Sequence, residues 1–185
     1  MLSSNEKLLG DGGGLQGLSR LRKLSITGFK ALESQWKGLQ DLTALEELTI
    51  SCCPKLTCLP AVLMQQQFPS LHTLILEFNP KLMSLGGDEP RHFITSLRHL
   101  TIRDCGALRA LPEWLGDLTS LTSLVLKCCN NLAMLPDGLR RLTTLQQLTI
   151  DFCHLLEKRC EMGGEDRYKI DHIPSIDINK TYAGM

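Results

Sequence analysis

The sequence predicts an α/β solenoid, with a curved parallel sheet on the concave side and irregular or short helical segments on the convex side. It should hold about six full repeats and a degenerate C-terminal cap strand. Three observations predict it. Leucine fills 37 of 185 positions. Most of those leucines recur at a fixed period, and internal periods of this length mark arrays in which each unit is buried only by its neighbours. Near the end, isoleucines take over the same spacing.

Each repeat begins with an L-x-x-L-x-[LI] run. The first is Leu21/Leu24/Ile26, followed by Leu45/Leu48/Ile50, Leu71/Leu74/Leu76, Leu97/Leu100/Ile102, Leu121/Leu124/Leu126 and Leu145/Leu148/Ile150. The first leucines are separated by 24, 26, 26, 24 and 24 residues. Alternation within each run places two apolar side chains on one face of a short strand. Three residues further on stand Phe29, Cys53, Asn79, Cys105, Cys129 and Cys153. Three beyond those stand Leu32, Leu56, Leu82, Leu108, Leu132 and Leu156. Leu59-Pro60, Leu85, Leu111-Pro112 and Leu135-Pro136 then open the convex segment. This is the leucine-rich-repeat consensus. The longer repeats carry their extra residues at Met64–Gln67 and Gly86–Pro90, in the convex segment, where insertions are tolerated.

The ends set the expected boundaries. Residues 1–14 read as a flexible leader, with Gly10-Asp11-Gly12-Gly13-Gly14 unsuited to a regular strand. Residues 15–156 hold the repeats, and Leu15-x-x-Leu18-x-x-Leu21 looks like the tail of a preceding one. A longer array upstream is therefore expected. Residues 157–185 form a cap in which Ile170-x-x-Ile173-x-x-Ile176-x-Ile178 supplies a seventh, degenerate strand.

Composition narrows the function classes. Twenty basic residues balance twenty acidic ones, so no whole-molecule field draws the chain to nucleic acid or to an anionic membrane. No apolar run is long enough to span a bilayer. The chain has no phosphate-loop, nucleophile-elbow or zincin motif. The expectation is therefore no catalytic residue, no metal and no cofactor. Zinc on Cys52, Cys53, Cys58 and His72 is the sharper alternative, but Cys53-x₄-Cys58 misses the knuckle spacing. Cys53, Cys105, Cys129 and Cys153 suit the buried turn position of the repeat as free thiols in a reducing compartment. Disulfides between adjacent rungs are not excluded by distance. Trp36 and Trp114 fall on the convex side, either packed between segments or presented to a partner.

The candidate site is the inner face of the sheet, where the side chains between and after the strand leucines line up in columns. One column contains Lys23, Glu47, Thr73, His99, Ser123 and Gln147. The next contains Ser25, Thr49, Ile75, Thr101, Val125 and Thr149. The third contains Thr27, Ser51, Glu77, Arg103, Lys127 and Asp151, with Phe78 and Phe152 beside it. Glu77 should neighbour Arg103, and Lys127 should neighbour Asp151. A wall mixing apolar and charged groups suits a protein partner, with Lys23, Glu47, Thr49, Ile75, Glu77, Phe78, His99, Thr101, Arg103, Val125, Lys127, Gln147, Asp151 and Phe152 as candidate contacts.

The repeats also carry a resemblance. Leu97-Arg98-His99-Leu100-Thr101-Ile102-Arg103-Asp104-Cys105, the run Leu111–Leu121, Cys53-Pro54-Lys55-Leu56-Thr57 and the ending Arg159-Cys160-Glu161…Gly164-Glu165-Asp166-Arg167-Tyr168-Lys169-Ile170 resemble the C-terminal repeats of plant intracellular immune receptors. These are the nucleotide-binding, leucine-rich-repeat disease-resistance proteins of the coiled-coil subclass. The chain departs from them at Arg167-Tyr168, where the family commonly has an aromatic directly after Gly-Glu-Asp. The resemblance implies a cytoplasmic recognition module. Its partner would be a pathogen effector, a host guardee or the receptor's own nucleotide-binding domain, with no nucleic acid. The alternative is a truncated or orphan repeat protein serving as a generic interaction scaffold.

Overall fold

The computed structural model describes residues 18–28, 39–59, 63, 68–86 and 95–179. The expectations for residues 1–14, Leu15, Phe29, Leu32, Trp36, Pro60, Met64–Gln67, Gly87–Pro90 and His92 lie outside that range. Seven five-residue strands form one parallel sheet in sequence order: β1 Lys23–Thr27, β2 Glu47–Ser51, β3 Thr73–Glu77, β4 His99–Arg103, β5 Ser123–Lys127, β6 Gln147–Asp151 and β7 Ser175–Asn179. The register never slips. Leu24 faces Leu48, then Leu74, Leu100, Leu124, Leu148 and finally Ile176. The fold is a leucine-rich-repeat solenoid, as the periodicity predicts.

The strands form because alternate residues have somewhere to go. In β2 to β5 both inward residues are buried while their neighbours stay open, for example Leu48 and Ile50 at 0% exposure beside a half-exposed Thr49. Slipping one residue would put every leucine in water, so the register is fixed strongly. Each buried leucine contributes about 1.5–3 kcal/mol relative to exposure, but only when the next rung covers it.

The residue at the Asn/Cys position joins one rung to the next. The Asn79 side chain accepts from the Cys53 amide at 3.0 Å and donates to the Ile50 carbonyl at 2.9 Å, both in the preceding rung. Cysteines do a weaker version of this. Cys153 Sγ accepts from the Cys129 amide at 3.3 Å, and the thiols of Cys105, Cys129 and Cys153 point at carbonyls of the rung before. All eight cysteines are free thiols. Burial pushes Cys105 up to about 11 and Cys160 up to about 12, which keeps both protonated and inert.

On the far side, short helical turns run over Glu113–Asp117 and Asp137–Arg141, each entered from a proline in extended conformation. They stack tightly. A Cβ on Gly116 would lie 2.1 Å from the Gly138 carbonyl oxygen, and one on Gly138 would lie 2.3 Å from that of Glu113. The Glu113 carboxylate caps the next turn by accepting from the amides of Asp137 and Gly138 at 3.1 and 2.7 Å. Trp114 is buried, at 8% exposure, so of its two readings packing is the one observed.

The C-terminal cap completes these ladders with its own side chains. An α-helix, α1 His154–Cys160, follows β6. The Cys153 amide donates to buried Glu157 at 2.8 Å, where earlier rungs use the Asn or Cys of the next repeat. Leu135 is served the same way: its amide donates to Asp166 at 2.9 Å and its carbonyl accepts from Lys169 Nζ at 2.7 Å. Asp166 also accepts two bonds at 3.1 Å from Arg159 and pairs with Lys169 at 3.1 Å. Burial alone would raise the Asp166 carboxyl. The donors from Arg159, Leu135 and Lys169 outweigh it, and the carboxyl sits below its ordinary range. Gly164 lets the chain pass, since a Cβ there would meet the Arg159 carbonyl oxygen at 2.3 Å.

Two predictions follow from the packing. Gly116→Ala should destabilise by about 1–3 kcal/mol, because the new methyl meets backbone that cannot rotate away; an unchanged melting temperature would contradict the contact. Asp166 has a depressed folded pKa. Its contribution is therefore present above the unfolded carboxylate pKa and is lost as pH falls through the folded one. Asp166→Asn should lower stability at neutral pH and flatten its decline in acid, as read by denaturant melts across pH.

Candidate functional site

The open face of the sheet holds the predicted columns in the predicted order, with β7 adding Ser175, Asp177 and Asn179. Ion pairs link neighbouring rungs: Lys23–Glu47 at 2.8 Å, Arg103–Glu77 at 3.8 Å and Lys127–Asp151 at 3.1 Å. Lys23 is open to water and the Arg103–Glu77 pair is half-open, so solvent screens both and they add little to stability. In the middle column Thr49, Ile75, Thr101 and Val125 are half-buried by their neighbours, while His99 and Gln147 in the first column are exposed. Asp151 departs from the expectation of an open contact. At 9% exposure it is buried against Lys127 and the end of the array, so it positions Lys127 more than it meets a partner.

Phe78 and Phe152 are among the most exposed large apolar side chains, at 49% and 51%. Both belong to a feature that composition does not reveal. The residue directly after each of the first six strands has positive φ: Gly28 at 77°, Cys52 at 55°, Phe78 at 54°, Asp104 at 51°, Cys128 at 53° and Phe152 at 53°. Only glycine adopts this conformation freely, and each other residue costs about 1–3 kcal/mol. The array imposes it. In the first five of these residues the backbone amide donates to the last strand carbonyl of the next rung, from Gly28 to Ser51 at 3.0 Å through Cys128 to Asp151 at 2.9 Å. The chain must then turn so that the following Cys or Asn points inward. The consequence is a rim where Cys52, Phe78, Asp104, Cys128 and Phe152 stand in file, one rung apart. Asp104 and Cys128 were not among the candidate residues read from sequence, and Cys52 entered only as a possible zinc ligand. Glycine at position 28 is the sole compositional trace of the shared conformation.

This arrangement offers apolar and charged groups in a fixed array. Among the described residues no group of His, Cys, Asp and Glu could hold a metal, and no helix is long and apolar enough to cross a membrane.

The family comparison agrees with the repeat architecture. Residues 92–153 match the model of the R13L1/DRL21 leucine-rich-repeat family. No curated protein matches the chain. Among solved structures it is similar to the leucine-rich repeat domain of the type III effector XopL, with 20% identity, 90% of this chain and 72% of that one covered, and a TM-score of 0.48. A leucine-rich-repeat solenoid is a protein-interaction module, and such modules are typically not enzymes.

The strained rim gives a stability test. Gly28→Val should cost about 1–2 kcal/mol, since a β-branched residue is a severe outlier at positive φ, whereas Gly28→Asn should cost little. Equal melting temperatures for the two variants would contradict the account.

Proposed function

We propose that the chain is the protein-recognition module of a cytoplasmic plant immune receptor, reading a pathogen effector or contacting the receptor's own nucleotide-binding domain. The observation that carries this reading is the division of each repeat. Leucines and Cys/Asn residues point inward and are buried. The positions between them, led by Glu77, Arg103 and Lys127 with Phe78 and Phe152 at the rim, remain on an open face. Rigid aromatics beside charged residues are the groups that dominate protein interfaces. The R13L1/DRL21 match of residues 92–153 supports the receptor assignment. So does the Gly164-Glu165-Asp166 ending, whose residues here anchor the cap.

The second reading, a free-standing interaction scaffold, keeps the same surface but removes the receptor. The reading frame upstream of Met1 separates them: an in-frame nucleotide-binding domain is expected, and its absence favours the scaffold. Within the receptor, the combined variant Glu77→Lys, Arg103→Glu and Lys127→Glu should abolish effector-triggered cell death in leaf tissue while the repeats keep their melting temperature. Undiminished cell death with that variant would refute recognition by this face.

A further inference from the structure

The cap ends the repeat ladders unevenly. Glu157 terminates the Asn/Cys ladder, and Asp166 with Lys169 terminates the ladder at Leu135. The sheet runs on to β7, whose outer edge pairs with no strand among the described residues. Along β1 to β6 the two inward residues of every strand are 0–4% exposed, but Ile176 and Ile178 are only half-buried. They line a cavity of about 270 Å³ together with Glu161, Met162 and Arg167, and Met162 is 84% exposed. Beside that cavity lies a free strand edge. Ser175 donates to the Gln146 carbonyl, so residues 175, 177 and 179 turn their backbone groups to β6. The N–H and C=O of Ile176 and Ile178 therefore face outward, with no partner among the described residues.

Charge identifies what fits there. On the sheet face Glu47 meets Lys23, Glu77 meets Arg103, and Asp151 meets Lys127, each on an adjacent rung. Asp177 has Thr149 as its inner neighbour and enters no ion pair among the described residues. A strand added on the outer side of β7 would place a residue directly beside Asp177, where a basic side chain complements it. All six existing junctions are parallel, which fixes the direction of an added one.

The geometry points to a second binding site at the β7 edge, which takes an extended peptide segment of a partner, parallel to β7, with the pattern apolar–basic–apolar. The two apolar side chains enter the cavity beneath Ile176 and Ile178, and the basic residue pairs with Asp177. The central N–H of the segment donates to the Ile176 carbonyl. This is strand addition, in which main-chain bonds give affinity and alternate side chains give specificity. A second copy fits less well: β1 would set Ser25 against Asp177, and Leu24 and Ile26 are already 4% and 0% exposed.

The site lies apart from the Glu77–Lys127 face and stands whether or not that face recognises an effector. The test is titration of the isotope-labelled full chain with acetyl-Ser-Leu-Lys-Ile-Thr-amide, followed by two-dimensional NMR. The amides of Ile176 and Ile178 should shift, and N-methylation of the central lysine should weaken binding about tenfold or more. Glutamate in place of that lysine should cost about two- to five-fold, and Asp177→Lys in the protein should reverse that preference. No shift at millimolar peptide would overturn the proposal, as would indifference to N-methylation or shifts centred on His99 and Thr101. A peptide-free dimer abolished by Ile178→Asp would assign the edge to a second copy. Movement of the Ile176 and Ile178 amides on removal of residues 180–185 would assign it to the chain's own tail. Either outcome overturns the proposal.

Discussion

Everything in this molecule depends on the contact between one rung and the next. A single repeat holds two strand leucines, a turn residue and a few convex apolar groups around no interior of its own. Stacking creates the interior, and backbone pairing at the sheet fixes the distance between rungs. That spacing, roughly 4.8 Å, then dictates the other layers. It brings Gly116 and Gly138 into backbone contact, where no side chain fits. It places Asn79 so that one amide satisfies two backbone groups of the rung before. It also makes the residue after each of β1 to β5 adopt positive φ to continue the hydrogen-bond ladder.

The same constraint explains how folding and recognition share one sequence. Inward positions admit few residue types, since volume and register are fixed by two neighbours. Outward positions are held rigidly but are chemically free. The sheet face thus carries Ile75 next to Thr101 and Glu77 next to Arg103 at little cost to the fold. The cap obeys the rule too. Glu157, Asp166 and Lys169 satisfy, one backbone group at a time, what the next repeat's residues satisfy elsewhere, while the outer edge of β7 has no such partner among the described residues.

The strand ladder was legible because its signal is periodic and local. Six copies of L-x-x-L-x-[LI] fix register, face and order together, and Ile176 and Ile178 extend the pattern to β7. The facing columns and their ion pairs follow from that register alone. What escaped notice depends on residues a repeat or more apart. The near-burial of Asp151 depends on its place at the last full rung. The rim of positive-φ residues leaves no compositional mark, because Cys, Phe, Asp, Cys and Phe occupy it and only Gly28 hints at the conformation. The anchoring of Leu135 by Asp166 and Lys169 spans more than thirty residues and needs the folded cap.

If stacking of neighbours is the controlling interaction, stability must be graded along the array rather than shared equally. Native-state hydrogen exchange of the strand amides measures this directly. Interior strands β3 to β5, covered on both sides, should open with the highest free energy. β7, with an uncovered edge and half-open isoleucines, should open at a distinctly lower one. A single opening free energy for all strands, or β4 exchanging before β7, would contradict the account.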